Sequence, residues 1–234
     1  MMNYNIISTG SKGNAVVLND YILIDCGVYF KDLIDVYNDL KIVLLTHQHG
    51  DHFNKATIRR LAKERPTLRF ACCEWLVPLL VECNVSKRNI DLLEVGKIYD
   101  YKAFKVSPIK LYHDVPNCGY RLFFGEKKAM YATDTHTLEG ISAKDYDLYL
   151  VEANYEQEEL QERIKTKLES GQYCYELNVA NRHLSKEQTD EFLFENMGAH
   201  SNYVYLHGHI DKSDDWGYQD EPSEISSQVS NESF

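Results

Sequence analysis

Thr46-His47-Gln48-His49-Gly50-Asp51-His52 places three histidines and an aspartate within six residues, directly after the apolar run Ile42-Val43-Leu44-Leu45. A short run with no polar position marks a strand buried on both faces. The His-rich segment therefore sits on a loop at a strand's C-terminal edge. Such a loop has no structural reason to carry these side chains, because imidazole and carboxylate do not stabilise a core and their unpaired burial is costly. As ligands they suit Zn²⁺, with Mn²⁺ or Fe²⁺ as alternatives. No cysteine lies in the cluster, which favours an open catalytic metal site over a closed structural one.

Working outward, short β runs precede this loop: Tyr4–Ser8, Ala15–Leu18 and Tyr21–Ile24, the last two joined at Asn19-Asp20. Phe30–Leu40 reads as a short helix. Downstream, Asn54–Glu64 reads as a helix capped by Asn54 and stopped by Pro66, followed by a strand at Leu68–Cys72 and a helix at Trp75–Glu82. Strand patterns recur at Ile98–Tyr101, Phe104–Leu111, Tyr120–Phe124, Lys128–Ala132, Tyr146–Val151 and Tyr203–Leu206, with helices at Gln157–Leu168 and Ser185–Asn196. A β-rich half and helices, followed by a second β-rich half and helices, predict an α/β protein of αββα type: two mixed sheets flanked by helices in one domain, over residues 1–212.

Composition sets limits. The 234 residues are 44% hydrophobic and 12% aromatic, enough for a sizeable core. No eighteen-residue apolar stretch offers a membrane span, and the first residues lack the order of a secretory signal. Six cysteines at irregular spacings inside apolar runs read as reduced core residues. The expected location is the cytoplasm. Of the net charge of −11, six units fall on residues 213–234, which carry no Lys or Arg and read as an acidic, disordered tail. The remaining body is still acidic, a poor surface for a long polyanion, since nucleic-acid affinity comes mainly from phosphate neutralisation.

The strand-THxHxDH segment resembles the signature of the metallo-β-lactamase superfamily, and further landmarks follow in order. Asp25 in Leu23-Ile24-Asp25-Cys26-Gly27 matches its structural aspartate, His113 in Tyr112-His113-Asp114 its third motif, Asp134 in Ala132-Thr133-Asp134-Thr135 its bridging carboxylate, and His207 after Tyr203–Leu206 its last ligand. The resemblance implies two Zn²⁺ ions, with Mn²⁺ as the alternative. His47, His49 and His113 would hold the first; Asp51, His52 and His207 the second; Asp134 would bridge them. His207 abuts its strand and is preferred over His209. His136 and His200 match no motif.

Finer affiliation rests on three segments. Ser8-Thr9-Gly10-Ser11-Lys12-Gly13-Asn14 is similar to the opening of the YycJ-like branch, which holds bacterial DNA exonucleases and the phage anti-Pycsar phosphodiesterases of cyclic nucleotides. Val151-Glu152-Ala153-Asn154 and Asn181-Arg182-His183-Leu184-Ser185 resemble the Glu and His segments that this branch shares with RNase Z. The resemblance implies Glu152 and His183 as a catalytic pair near the leaving group, with Asp51 orienting the nucleophile. It also implies a homodimer, in the host cytoplasm if the chain is phage-encoded. The expected substrate is a small nucleotide, cyclic nucleotides included. DNA exonuclease activity and ester or thioester hydrolysis are the alternatives, and a non-catalytic metal-stabilised module is the reading from outside enzymology. Lys12 with the Gly10–Asn14 amides is a candidate anion-accepting edge, and Tyr112 and Tyr120 are candidate base-stacking residues.

Overall fold

A computed structural model describes residues 2–208; His209 and the acidic segment 213–234 lie outside the described residues. Among the described residues twelve strands form two six-stranded mixed sheets, each made from one contiguous stretch of sequence. The first sheet holds β1 (Tyr4–Ser8), β2 (Ala15–Leu18), β3 (Ile22–Ile24), β4 (Ile42–Leu45), β5 (Arg69–Cys73) and β6 (Ile90–Leu93), in chain order. The second holds β7 (Tyr99–Asp100), β8 (Lys105–Leu111), β9 (Asn117–Phe124), β10 (Lys127–Ala132), β11 (Leu148–Glu152) and β12 (Asn202–Leu206). β3 to β6 run parallel, as do β10 to β12, and the remaining neighbours are antiparallel.

Side-chain alternation explains the layering. In β4, Ile42 and Leu44 enter the core between the sheets, while Val43 and Leu45 face outward to a second core. That second core is closed by Ile58 and Leu61 of α1 (Lys55–Glu64) and Leu80 of α2 (Val77–Glu82). A third cluster packs Met130, Tyr149 and Val151 of the second sheet against Phe192 and Leu193 of α5 (Lys186–Asn196). Cys72 and Cys73 divide between two cores, as period-2 geometry requires, and all six cysteines are buried. The αββα sandwich is thus present in full. Among the described residues no helix is long and apolar enough to cross a membrane.

Local signals hold at several boundaries. Asn19 and Asp20 both have positive φ (47° and 66°) in the turn between the paired Leu18 and Ile22, a conformation that Asn and Asp tolerate better than most side chains. Asn54 caps α1 by accepting from Ala56 N and Thr57 N, and Ser185 forms a capping box with Gln188 at α5. The helix expected over Phe30–Leu40 does not form. A 3₁₀ turn at Phe30–Leu33 is followed by turns, because Asp35, Asn38 and Asp39 favour turns over helical backbone and only Leu33 and Leu40 supply fully buried anchors here. Two elements escape the pattern reading. β6 is an edge strand tied by the Arg69–Asp91 ion pair rather than by apolar alternation. After α3 (Gln157–Glu169), the five-residue α4 (Glu176–Ala180) is too short for a period to show.

Candidate metal centre

Parallel pairing delivers the site. Registers Ile24↔Leu44, Ala132↔Val151 and Glu152↔Leu206 bring the C-terminal ends of β3, β4, β10, β11 and β12 to one edge of the sandwich. Asp25, Asp134 and His207 all adopt positive φ (59°, 58° and 56°) as they leave their strands. That left-handed turn costs energy for a non-glycine residue, and it occurs at two strand exits bearing candidate ligands and at the one bearing the aspartate behind them. Gly27 lets β3's exit touch the His loop: a Cβ there would lie 1.7 Å from the Asp51 carbonyl oxygen. Trp75 Nε1 and Tyr120 Oη donate to the carbonyls of Thr46 and Leu45 and pin the base of the loop.

All seven residues expected as ligands converge. Donor atoms of His47, His49 and His113 lie within 4.8 Å of one another, as do those of Asp51, His52 and His207. Asp134 stands between the groups, with Oδ2 2.9 Å from His52 Nε2 and Oδ1 3.5 Å from His207 Nε2 and 3.8 Å from His113 Nε2. Each ring offers one nitrogen to the centre and the other to a partner. His52 Nδ1 faces Asp25 Oδ2 at 2.7 Å, and a carboxylate only accepts, so that nitrogen carries the proton. His47 Nδ1 faces Thr46 Oγ1 at 3.0 Å, His113 Nδ1 the Arg182 carbonyl at 3.2 Å, and His207 Nδ1 the Asn154 amide at 2.8 Å.

The site's electrostatics follow from its burial. Dehydration and the neighbouring His52 hold His47 well below the usual histidine range, and dehydration outweighs Asp134 to lower His113. His52 is equally dehydrated, yet the Asp134 and Asp25 carboxylates overcome this and raise it well above that range. His207 is raised against its burial by Asp51 and Asp134. Burial alone would raise Asp134, but His52 and His207 drive it well below the carboxylate range, and Asp51 is lowered by His207 and His52 in the same way.

Among the described residues the buried nitrogen His47 Nε2 has no hydrogen-bond partner, and His207 Nε2 has nothing nearer than the Asp51 and Asp134 carboxylate oxygens, each at 3.5 Å. Orphaned buried polar atoms are rare because each forfeits its hydration. Two such nitrogens among imidazoles and carboxylates fit divalent cations of the zinc class.

The second pair also meets. Glu152, fully buried at the end of β11, accepts from Asp134 N and Leu184 N, each at 2.6 Å, and His183 Nδ1 lies 3.3 Å from its Oε2. Donor atoms of Asp134, Glu152, His183 and His207 also lie within 4.8 Å of one another. Since both Glu152 oxygens already hold backbone amides, an anchoring role suits it better than ligation. Three amides of the Gly10–Asn14 turn, the expected anion edge, are spent on contacts within the protein. The amides of Gly10, Gly13 and Asn14 bond to Asn14 Oδ1, the Gly10 carbonyl and the Asp51 carbonyl. Asn14 instead braces the centre, with Nδ2 2.8 Å from His52 Nε2. Tyr120 is fully buried and cannot stack on a ligand, whereas Tyr112 is 41% exposed under the Lys110 ammonium. His136 and His200 are exposed. Asn14, Asn154 and Asp114 were given no individual role from the sequence, although each lies inside a quoted motif segment.

Residues 20–200 match the β-lactamase superfamily domain, and the chain belongs to that family. Its fold is that of the metallo-β-lactamases. The metallo-β-lactamase fold protein YhfI from Bacillus subtilis is similar over 90% of this chain and 88% of its own, with a TM-score of 0.69 and 17% identity. Human tRNase Z, short form, is similar over 89% and 93%, with a TM-score of 0.64 and 16% identity. A diphosphatase of the PhnP family is similar over 89% and 87%, with a TM-score of 0.61 and 13% identity. No curated protein matches the chain significantly.

Proposed function

We propose that this chain is a binuclear metal-dependent phosphodiesterase of the YycJ-like kind, acting on small nucleotides, cyclic ones included. The observation that carries the reading is the Glu152–His183 pair beside Asp134: His183 Nδ1 lies 3.3 Å from Glu152 and 3.6 Å from Asp134 Oδ1. Thioester hydrolysis could use the same metal ligands without needing an imidazole acid here. Two of the similar structures, a tRNase and a diphosphatase, carry names that speak of phosphate chemistry.

His47, His49 and His113 would hold one cation, Asp51, His52 and His207 another, with Asp134 between them. Zn²⁺ is the expected metal, Mn²⁺ the alternative. When bound, such ions supply Lewis acidity toward a phosphoryl oxygen and make water more acidic. Asp51, whose Oδ2 lies 3.5 Å from His207 Nε2, accepts a hydrogen bond from the attacking water and orients it. The attacking water passes its proton by way of Asp51 to solvent as its oxygen bonds to phosphorus and the bond from phosphorus to the ribose oxygen breaks. His183, its Nδ1 held by Glu152, donates the Nε2 proton to that leaving oxygen.

The acidic body favours a small substrate over a polymer. The opposing reading, a DNA exonuclease, draws support from the Thr9–Asn14 segment, which is built into the centre: Thr9 Oγ1 accepts from His207 N at 2.7 Å. One panel decides: protein with Zn²⁺ or Mn²⁺, with and without chelator, against cyclic mononucleotides, cyclic dinucleotides and labelled DNA and RNA. Chelator-sensitive cleavage of cyclic nucleotides that responds weakly to salt is expected. Cleavage confined to polymers and falling steeply with salt would support the exonuclease, and no metal uptake at all would end both.

A further inference from the structure

Asp114 lies outside the expected ligand set, yet its carboxylate reaches two histidines of the first metal position, His49 and His113. Oδ1 is 3.3 Å from His49 Nε2 and 3.2 Å from His113 Nε2. His49 Nδ1 is meanwhile 3.2 Å from His113 Nε2, so that Nδ1 is the His49 atom turned toward the centre. A carboxylate accepting from Nε2–H fixes the tautomer that leaves Nδ1 with its lone pair. The other Asp114 oxygen, Oδ2, lies 3.1 Å from Arg182 Nη1. Arg182 acts twice here, because its carbonyl oxygen also lies 3.2 Å from His113 Nδ1 and can accept that proton. Its own amide is fixed to Val179 O at the end of α4, as is that of His183.

We propose that Asp114 and Arg182 are positioning residues that set the affinity of the first metal position. Asp114 orients His49, and Arg182 holds Asp114 by its guanidinium and His113 by its carbonyl. The clamp joins the loop after β8 to the loop after α4, so the segment that carries His183 is fastened to the histidines of the first position. This inference rests on the binuclear reading above, but its test needs no substrate.

Competition with a chromophoric chelator, using Zn²⁺ on the full chain, measures the affinities of both ions. For Asp114→Ala and Arg182→Ala the weaker binding of one ion, by about 10–100-fold, is expected while the other ion binds as before. Arg182→Lys keeps a cation beside Asp114 and should recover most of the loss. Asp114→Asn, nearly isosteric, removes the carboxylate charge and its ion pair with Arg182; it should weaken the same ion by less than the alanine variant, and it covers the case in which the alanine variant folds poorly. Imidazole ¹⁵N spectra of the metal-free protein should place the His49 proton on Nε2, and Asp114→Ala should shift that population. Wild-type affinities in both alanine variants, or equal weakening of both ions, overturns the proposal. A wild-type chain that takes up no divalent metal instead overturns the function proposed above.

Discussion

Asp25 and His52 are 27 residues apart in the chain, yet Asp25 Oδ2 lies 2.7 Å from His52 Nδ1 with both side chains fully buried. The same carboxylate accepts from Thr46 N at 3.0 Å, Thr46 Oγ1 at 2.9 Å and Tyr131 Oη at 3.0 Å. It therefore ties both sheets and the His loop together. Asp25→Ala leaves these donors and a protonated His52 uncompensated, and a cost of about 3–5 kcal/mol is expected. Urea unfolding of the metal-free variant checks it. A loss under about 1 kcal/mol would mean that the pair is not the anchor of the loop.

His183→Ala should slow hydrolysis of a nucleoside ester by about 10²–10⁴-fold. A nitrophenyl ester, whose leaving group needs no proton, should lose far less. Glu152→Gln should follow the same order, since the neutral amide no longer holds the doubly protonated His183 ring by its Nδ1–H with Nε2–H left for the leaving oxygen. Equal losses on both substrates would remove His183 as the acid.

The metal-free protein should be most stable near pH 6.5. His47 and His113 have lowered folded values, so the unfolded chain binds more protons below about 6.5 and stability rises with pH there. His52 and His207 have raised folded values; their stabilisation is complete below about 6.5 and is lost as pH climbs through the folded values. Asp134 and Asp51 are lowered, so they add stability above about pH 4 and lose it as pH falls through their folded values. Denaturation midpoints from pH 4 to 9 with chelator present trace this curve. A midpoint that rises steadily to pH 9 would contradict it.

Gly27→Ala forces a Cβ against the Asp51 carbonyl, while Gly50 has nothing within 4 Å of such an atom and a φ outside the left-handed region. The Gly27 variant should lose about 1–3 kcal/mol and bind metal weakly because the His loop must shift. Gly50→Ala should match the wild type in melting temperature and metal content. If both variants behave alike, close packing at Gly27 does not govern the site.

Much of this was legible because the strands are short and their exits chemically distinct. An apolar run followed by THxHxDH fixes both a buried parallel strand and a ligand-rich loop at its end, and Asn19-Asp20 between two apolar runs declares a turn. The convergence of His113, Asp134 and His207 on that loop came from family resemblance alone, since no local pattern encodes which strand ends meet. What stayed hidden is held by long-range contacts. Asn14 read as a turn residue because its reach to Asp51 and His52 spans 37 and 38 positions. Asp114 and Arg182 are 68 positions apart, and nothing in either neighbourhood announces the other. Tyr120 looked available because an aromatic in a strand can face either way, and this one faces the core.

Four of the seven candidate ligands, His47, His49, Asp51 and His52, belong to the half of the chain that builds the first sheet, and three, His113, Asp134 and His207, to the half that builds the second. During translation the nascent chain cannot assemble this centre until His207 has cleared the ribosome and β12 has docked at the sheet edge. Activity that depends on the centre would thus switch on only once the sandwich is closed, and a molecule stalled or cleaved between the two halves would be inert rather than half-active.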